Sequence, residues 1–477
     1  MRRSVLVCTL ASLGSVPACF NPDDPPGGAG TASGTDTDVS TSETTPTGTD
    51  PSDTTPTTDP SDTTPTTDPS DTTPTTDPTD TDPSADSSST DTNPTDTDTS
   101  PPACGDGAVD AGEFCVGGPP TVFDVGAGAF DVAIADIDGI GLDVITLNRG
   151  SSTISILRND GVGGFGNPES FTVGDGSCRI RAVDGDGDDD IDLVASGDPI
   201  VTLNNDGTGD FNRVNAPFGA GAFGGCGDYN DLDVLNNGGG PIDIVYSGEY
   251  NNSFATGISN GSGWTFMDDG IEVNPAGEGS AGVTVTELGS DDDSNPDVVQ
   301  LNRYSEEGTV WRGNGSGGFF AAGTFDACGS VEPPDVYVGA RWATAGDLNG
   351  DGQTDIVSTC IVGSGDPASG FSIVFGAADG TFSAASVVAL GGAYRIVLPD
   401  IDGDGDLDLL AASTEVGGVA VYLNDGTGTF ADPIALTVDG PAYNVAVDDL
   451  DGDGALDVVV PHDTVAGGRV AVFFASP

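Results

Sequence analysis

The residues with the plainest chemical capacity are aspartates at alternate positions of short glycine-rich stretches. In DIDGDGDLDLL (400–410), Asp400, Asp402 and Asp404 stand at positions 1, 3 and 5. Asp406 at position 7 can offer its backbone carbonyl, and Asp408 at position 9 closes the set. Gly403 and Gly405 permit the sharp turn that aims these oxygens at one centre. Three stretches match it position by position: 449–459, with Asp449, Asp451, Asp453 and Asp457; 347–357, with Asp347, Asn349, Asp351 and Asp355; and 184–194, with Asp184, Asp186, Asp188 and Asp192. Calcium takes six to eight such hard oxygens at about 2.3–2.6 Å. The plainer alternative is a set of polar β-turns, but three or four carboxylates within nine residues repel one another unless neutralised. An EF-hand would need a glutamate at position 12 and flanking helices, whereas Ala411 stands there between β-rich segments.

These loops belong to a repeat. Degraded versions start at Asp136, where one residue is missing and Ile140 replaces an acid, at Asp228 and Asn230, expanded before Asp243, and at Gly289. The seven starts are 44 to 61 residues apart, room for about four short strands each. After each loop come an apolar strand, an alternating strand such as VAVYLN (419–424), a turn and an aromatic. The turns end in Phe165, Phe211, Phe266, Phe319, Phe382 and Phe430; their Asn-Gly and Asp-Gly pairs supply the positive φ of tight hairpins, and the aromatic packs between sheets. Four antiparallel strands repeated seven times predict an all-β, seven-bladed propeller over 121–477. The seventh repeat stops after RVAVFF (469–474) without an outer strand, and TVFDVG (121–126) has the character of the missing one, so both chain ends should share a blade.

Composition narrows the chemistry. The 477 residues carry 77 acidic and 12 basic side chains, all of the latter arginine, for a net charge of −65. Nucleic acid is excluded as a partner, since it is bound by clustered cations. With 73 glycines and 32 prolines, long helices are excluded too. One histidine, His462, argues against a histidine zinc site or a Ser/His/Asp triad, and beside Pro461 it reads as a surface residue. No GxSxG, HExxH or GxxxxGK occurs.

Residues 1–18 read as a bacterial export signal. Val16 and Ala18 suit the general signal peptidase; an apolar residue three before Cys19 resembles a lipobox, with Cys19 acylated. The acidic spacer that follows directly favours the lipoprotein, and otherwise the chain is secreted; membrane contact is expected only through Cys19. Residues 19–103, with PSDTTPTTD repeated, cannot bury apolar area and are expected to be a disordered acidic Thr/Pro tether. Its Thr and Ser could carry O-linked sugar or serve as a plain solvated spacer. Within 104–120, CGDGAVDAGEFC resembles a cysteine-rich motif of surface proteins in some environmental bacteria, notably myxobacteria. Cys104 with Cys115 reads as a small disulfide loop, a thiol metal site being the alternative. Cys328 with Cys360 and Cys178 with Cys226 are the remaining expected pairs.

Loop, strand and NDGTGTF turn together resemble the FG-GAP or VCBS repeat, also found in the propeller of integrin α subunits. That resemblance implies that the loop joins the first and second strands of each blade and holds calcium in the four full matches. Every ligand comes from one local loop and the site recurs with the blades, which suits structural rather than catalytic ions. The expected function is a calcium-stabilised, monomeric binding module at the cell surface or outer membrane, taking a protein or glycan without catalysis. The alternatives are a polysaccharide lyase or glycosidase, and a structural component of the envelope. Six residues before the loops stand Phe130, Cys178, Ala222, Val283, Arg341, Tyr394 and Tyr443. In chain order, Arg341, Tyr394, Tyr443 and Phe130 form an arc at the channel mouth, with Trp342 and Arg395 beside it. Such residues dominate binding hot spots, although wedging the inner strands together is their ordinary role.

Overall fold

A computed structural model describes residues 114–476, apart from 198–199, 216–230, 236–242, 249–252, 260–263, 273–279, 289–294, 303–305, 316–317, 330–337 and 363–369. The export signal, Cys19, the Thr/Pro stretch, Cys104, Ala222, Cys226, Asp228, Asn230 and Gly289 therefore lie outside the described residues. What is described is all strand and loop, in seven four-stranded antiparallel sheets, a seven-bladed β-propeller.

Blade 1 runs outward as Ala129–Ala135, Asp143–Asn148, Thr153–Leu157 and Glu169–Thr172. Blades 2 to 6 begin with the inner strands Ile180–Val183, Leu232–Leu235, Ser280–Thr286, Val338–Gly346 and Ala393–Val397. Blade 7 is Ala446–Asp448, Asp457–Thr464 and Gly467–Phe473, completed on its outer edge by Thr121–Asp124. The N-terminal strand pairs Thr121 with Val472 and Asp124 with Arg469, as the missing outer strand required. Second strands such as DVITLN and DVVQLN are buried along their whole length, since neighbouring blades cover both faces. Outer strands such as TVFD, ESFT and SVVA expose three residues in four.

Side chains of the hairpin turns join one blade to the preceding one. Asn205 Nδ2 donates to the Ile137 carbonyl of blade 1 at 2.9 Å, and Asn424 Nδ2 to the Leu348 carbonyl of blade 5 at 2.8 Å. Asn159 Nδ2 donates to Leu450 O of blade 7 at 2.7 Å, which closes the ring. The turn aromatics reinforce the same seams: Phe165 lies edge-on to Phe123, and Phe211 to Phe171, with centroids 5.7 and 5.5 Å apart.

Two expected loop positions need correction. The third blade's inner strand, Leu232–Leu235, lies after Asp228 and Asn230, so the loop is 236–242 rather than one beginning at 228. In blade 4, Thr286 pairs with Asp297 and Leu288 N donates to Asp297 Oδ2, as position 2 does to position 9 elsewhere. Position 1 is therefore Glu287, not Gly289, and the loop is two residues longer than 400–408. Extra residues in the fourth loop, and in the third blade acids that precede the inner strand, displaced the count, and with it Ala222 and Val283 leave the sixth position before a loop.

Inner strands of blades 1, 4, 5 and 6 each carry one extra residue, between Ala129 and Asp131, Ser280 and Val283, Ala340 and Ala343, and Ala393 and Ile396. Such bulges re-aim side chains. Here they fall at Phe130, Arg341–Trp342 and Tyr394–Arg395, where the strands face the axis. Cys328 and Cys360 form a disulfide with Cα atoms 5.8 Å apart, tying the segment after blade 4 to the second strand of blade 5. Cys115 and Cys178 are also disulfide-bonded, while their expected partners lie outside the described residues.

Candidate functional site

Each acidic loop joins an inner strand to the second strand, so the sites recur around one face of the ring. Left-handed backbone makes the coil: Gly403 and Gly405 have φ of 71° and 96°, Gly452 and Gly454 of 77° and 96°. In 184–192 the second such position is Asp189, with φ 72°, one of the few side chains tolerated there. The coil wraps the first carboxylate in its own N–H groups; Gly405 N donates to Asp400 Oδ2 and Gly454 N to Asp449 Oδ2, both at 3.0 Å.

Carboxylate oxygens of Asp400, Asp402 and Asp404 lie within 4.8 Å of one another, as do those of Asp449, Asp451 and Asp453, of Asp184, Asp186 and Asp192, and of Asp136, Asp138 and Asp143. Asp188, Asp408 and Asp457 stand outside these tight groups. The loop 347–355 has the same positions, with Asp347, Asn349, Asp351 and Asp355. Asp186 Oδ1 and Asp400 Oδ1 are buried with no hydrogen-bond partner. A buried, unpartnered carboxylate oxygen is costly unless a cation meets it. With oxygen donors alone, the four full loops fit a hard cation such as calcium rather than zinc or copper.

The ninth-position aspartate has a second role. Oδ2 of Asp408 accepts from Ile401 N and that of Asp457 from Leu450 N, both at 2.9 Å. Oδ1 accepts the N–H two residues past the third strand, from Asn424 and Ala475 respectively, both at 2.8 Å. Asp192 and Asp355 are held in the same way. Burial pushes Asp143, Asp192, Asp355 and Asp408 up to about 6 and Asp457 to about 7, the N–H bonds opposing the rise and neighbouring loop carboxylates adding to it.

Along the axis, inner strands of different blades meet in a buried ionic plug. Arg179 Nε donates to Asp231 Oδ1 at 2.9 Å, Arg395 bonds the same carboxylate, and Asn444 bonds Asp131. Both guanidinium groups lie over the Trp342 ring, 4.2 and 4.3 Å from its centroid. Burial would raise Asp231, but Arg395, Arg179 and Arg181 together hold it below the ordinary carboxylate value. Burial, with Arg179 nearby, lowers Arg395 to about 10.

Two cavities flank the plug. On the loop side, about 460 Å³ is lined by Arg181, Asp233, Thr284, Thr344, Arg395 and Asn444 among others. At the opposite mouth, about 540 Å³ is lined by Gly128, Phe130, Arg149, Gly150, Arg341, Tyr394, Tyr443 and Asp463. Phe130 stacks on Tyr443 at 5.0 Å, and Tyr394 stands edge-on to both rings. Phe130, Arg341, Tyr394 and Tyr443 thus meet, whereas Trp342 is 2 % exposed within the plug and Arg395 faces the other cavity. Arg149 and Asp463, at the far ends of second strands, escaped a count made along inner strands alone.

His462 is not a surface residue. It is fully buried beneath the closing strands, with Nε2 2.8 Å from Asp439 Oδ1 and Nδ1 3.2 Å from Val460 O.

A family model for the FG-GAP-like repeat matches residues 290–358 and 400–460, spans that include three of the four full loops. The chain carries that repeat in these two regions. No curated protein matches it. Among solved structures, it is similar to an Agrocybe aegerita lectin described as recognising non-reducing terminal N-acetylglucosamine, at 16% identity over 75% of this chain and 99% of that one, with a TM-score of 0.44. It is similar also to the periplasmic gluconolactonase of Pseudomonas aeruginosa, at 13% identity over 66% and 86%, with a TM-score of 0.49.

Proposed function

We propose that this FG-GAP-repeat propeller is a calcium-stabilised, non-catalytic binding module, exported and presented at the cell surface on its Thr/Pro-rich segment, and that it takes a protein or glycan at the axial mouth. The observation that carries this reading is the convergence of Arg149 and Arg341 with Phe130, Tyr394 and Tyr443 around one cavity of about 540 Å³. In a chain of net charge −65, five of the twelve arginines, Arg149, Arg179, Arg181, Arg341 and Arg395, stand at the axis. At physiological salt, charges beyond about 8 Å are screened, so the local arginines rather than the distant acids govern what approaches the mouth.

Calcium would be held by Asp184, Asp186, Asp188 and Asp192; by Asp347, Asn349, Asp351 and Asp355; by Asp400, Asp402, Asp404 and Asp408; and by Asp449, Asp451, Asp453 and Asp457. Support comes from their all-oxygen donor sets and the unpartnered oxygens of Asp186 and Asp400. Once bound, the ions neutralise the loops and stiffen one face of the ring, while the mouth lies on the other. Chelation should therefore lower the melting midpoint, because a ligand of the folded state alone stabilises it by mass action. A glycan array and a surface pulldown, each with and without calcium, test the whole reading. Arg149→Ala and Arg341→Ala should lose binding while their calcium-dependent melting stays near that of the parent. If both bind normally, the mouth is not the site, and release of unsaturated sugars from a polysaccharide would move the protein to the lyases.

A further inference from the structure

Across the sheet from each closing aspartate stands a residue at the end of the third strand or just past it, and this position separates the loops into two kinds. The pairing of Ile356 with Val374, Leu409 with Tyr422 and Val458 with Phe473 puts Phe375, Leu423 and Phe474 opposite Asp355, Asp408 and Asp457. In blade 2 the pairing of Leu193 with Leu203 puts Asn204 opposite Asp192. All four residues are neutral, and these are the four full loops. In blades 1 and 4, whose loops depart from the pattern, the register places Arg158 opposite Asp143 and Arg312 opposite Asp297.

Both arginines turn into their loops. Arg158 Nη1 lies 3.7 Å from Asp138 Oδ2 and 3.8 Å from Asp143 Oδ2, two of the three carboxylates that cluster in blade 1. Its other nitrogen donates to Gly209 O of blade 2 at 2.7 Å, and a Cβ on Gly209 would stand 2.3 Å from Nη1, so the guanidinium is packed in place. Arg312 Nη1 lies 2.5 Å from Asp297 Oδ2 and also bonds the Leu288 carbonyl, the position-2 residue of its loop. The same register position thus delivers a fixed positive charge to the same carboxylate in both blades.

We propose that in blades 1 and 4 an arginine of the third strand takes the place of the metal ion, so that the propeller binds four ions, in blades 2, 5, 6 and 7. This rests on the calcium reading above. Three carboxylates of blade 1 could otherwise gather a cation, but a guanidinium beside two of them offsets one of their charges and repels a divalent ion. The third blade's loop, 236–242, has no acid ahead of Asp243, the single carboxylate that closes it.

The test is the stoichiometry of calcium on the full chain, by native mass spectrometry and titration calorimetry, at several millimolar free calcium, above the ~10⁻⁴–10⁻³ M range of extracellular modules. The parent should take up four ions, and Arg158→Leu, which copies the neutral residue of blade 6, should take up five. Asp138→Asn in the parent, which needs no change to the packed arginine, should leave the count at four. Five ions in the parent, falling to four in Asp138→Asn, would overturn the assignment, as would a folded Arg158→Leu that stays at four. No uptake by the parent would overturn the calcium reading itself.

Discussion

An aspartate at the ninth position of a loop serves two ends: both its oxygens are tied to backbone N–H groups, and it stands buried beside other carboxylates. Without a cation, burial holds Asp143, Asp192, Asp355 and Asp408 near 6 and Asp457 near 7, above the 3.8 of a free side chain. The folded state therefore binds protons that the unfolded chain does not, and the stabilisation from protonation is complete below about 4 and lost as the pH rises through 6 to 7. The chelated protein should melt higher at pH 5 than at pH 8, and the rise in midpoint on adding calcium should be greater at pH 8. A chelated midpoint that falls between pH 8 and 5 would show that these carboxyls do not govern stability in that window. The loops were legible in the sequence because their aspartates lie within nine residues of one another. The axial plug was not, since Asp131, Arg179, Asp231, Arg395 and Asn444 come from five blades and meet only when the ring closes.

At the scale of the element, the hairpin turns do more than reverse the chain. Asn159, Asn205 and Asn424 each spend one amide on their own blade and the carbonyl of the blade before it, and accept turn N–H groups on the side-chain oxygen. Truncating such a residue strands buried carbonyls, at about 1–3 kcal/mol for each unsatisfied group. Asn159→Ala and Asn424→Ala should each lower stability by roughly that much in urea denaturation with an unchanged m-value; a loss below about 0.5 kcal/mol would mean that water satisfies the seam equally well. The turn motif was visible as Asn-Asp-Gly followed by an aromatic, but its reach into the next blade was not, because the acceptor is a backbone carbonyl that any residue supplies. The bulges at Phe130, Arg341 and Tyr394 were hidden for a related reason, as an extra residue in a strand leaves the apolar pattern nearly intact. Insertions hid the start of the fourth loop at Glu287, since the acids at 291–293 imitate the motif.

For the whole molecule, closure draws on contacts of different kinds, among them the Asn159 amide on Leu450 and the strand Thr121–Asp124 on Gly467–Phe473. Removing 121–126 should destabilise the propeller far more than deleting 22–103, because it exposes the edge of the last blade and opens a ring whose closure protects all the others. Equal denaturation midpoints for the two truncations would refute closure through that strand. The pairing continues beyond the strand itself, with Val116 bridged to Ala475 and Ser476 N donating to Cys115 O at 3.1 Å. A pull on the N-terminal side of the chain thus enters at a seam stitched to the last residues of the same polypeptide. Its load falls across a row of backbone bonds in the closing blade before it can reach any inner strand, and the place that would bear mechanical tension is the clasp on which the ring depends.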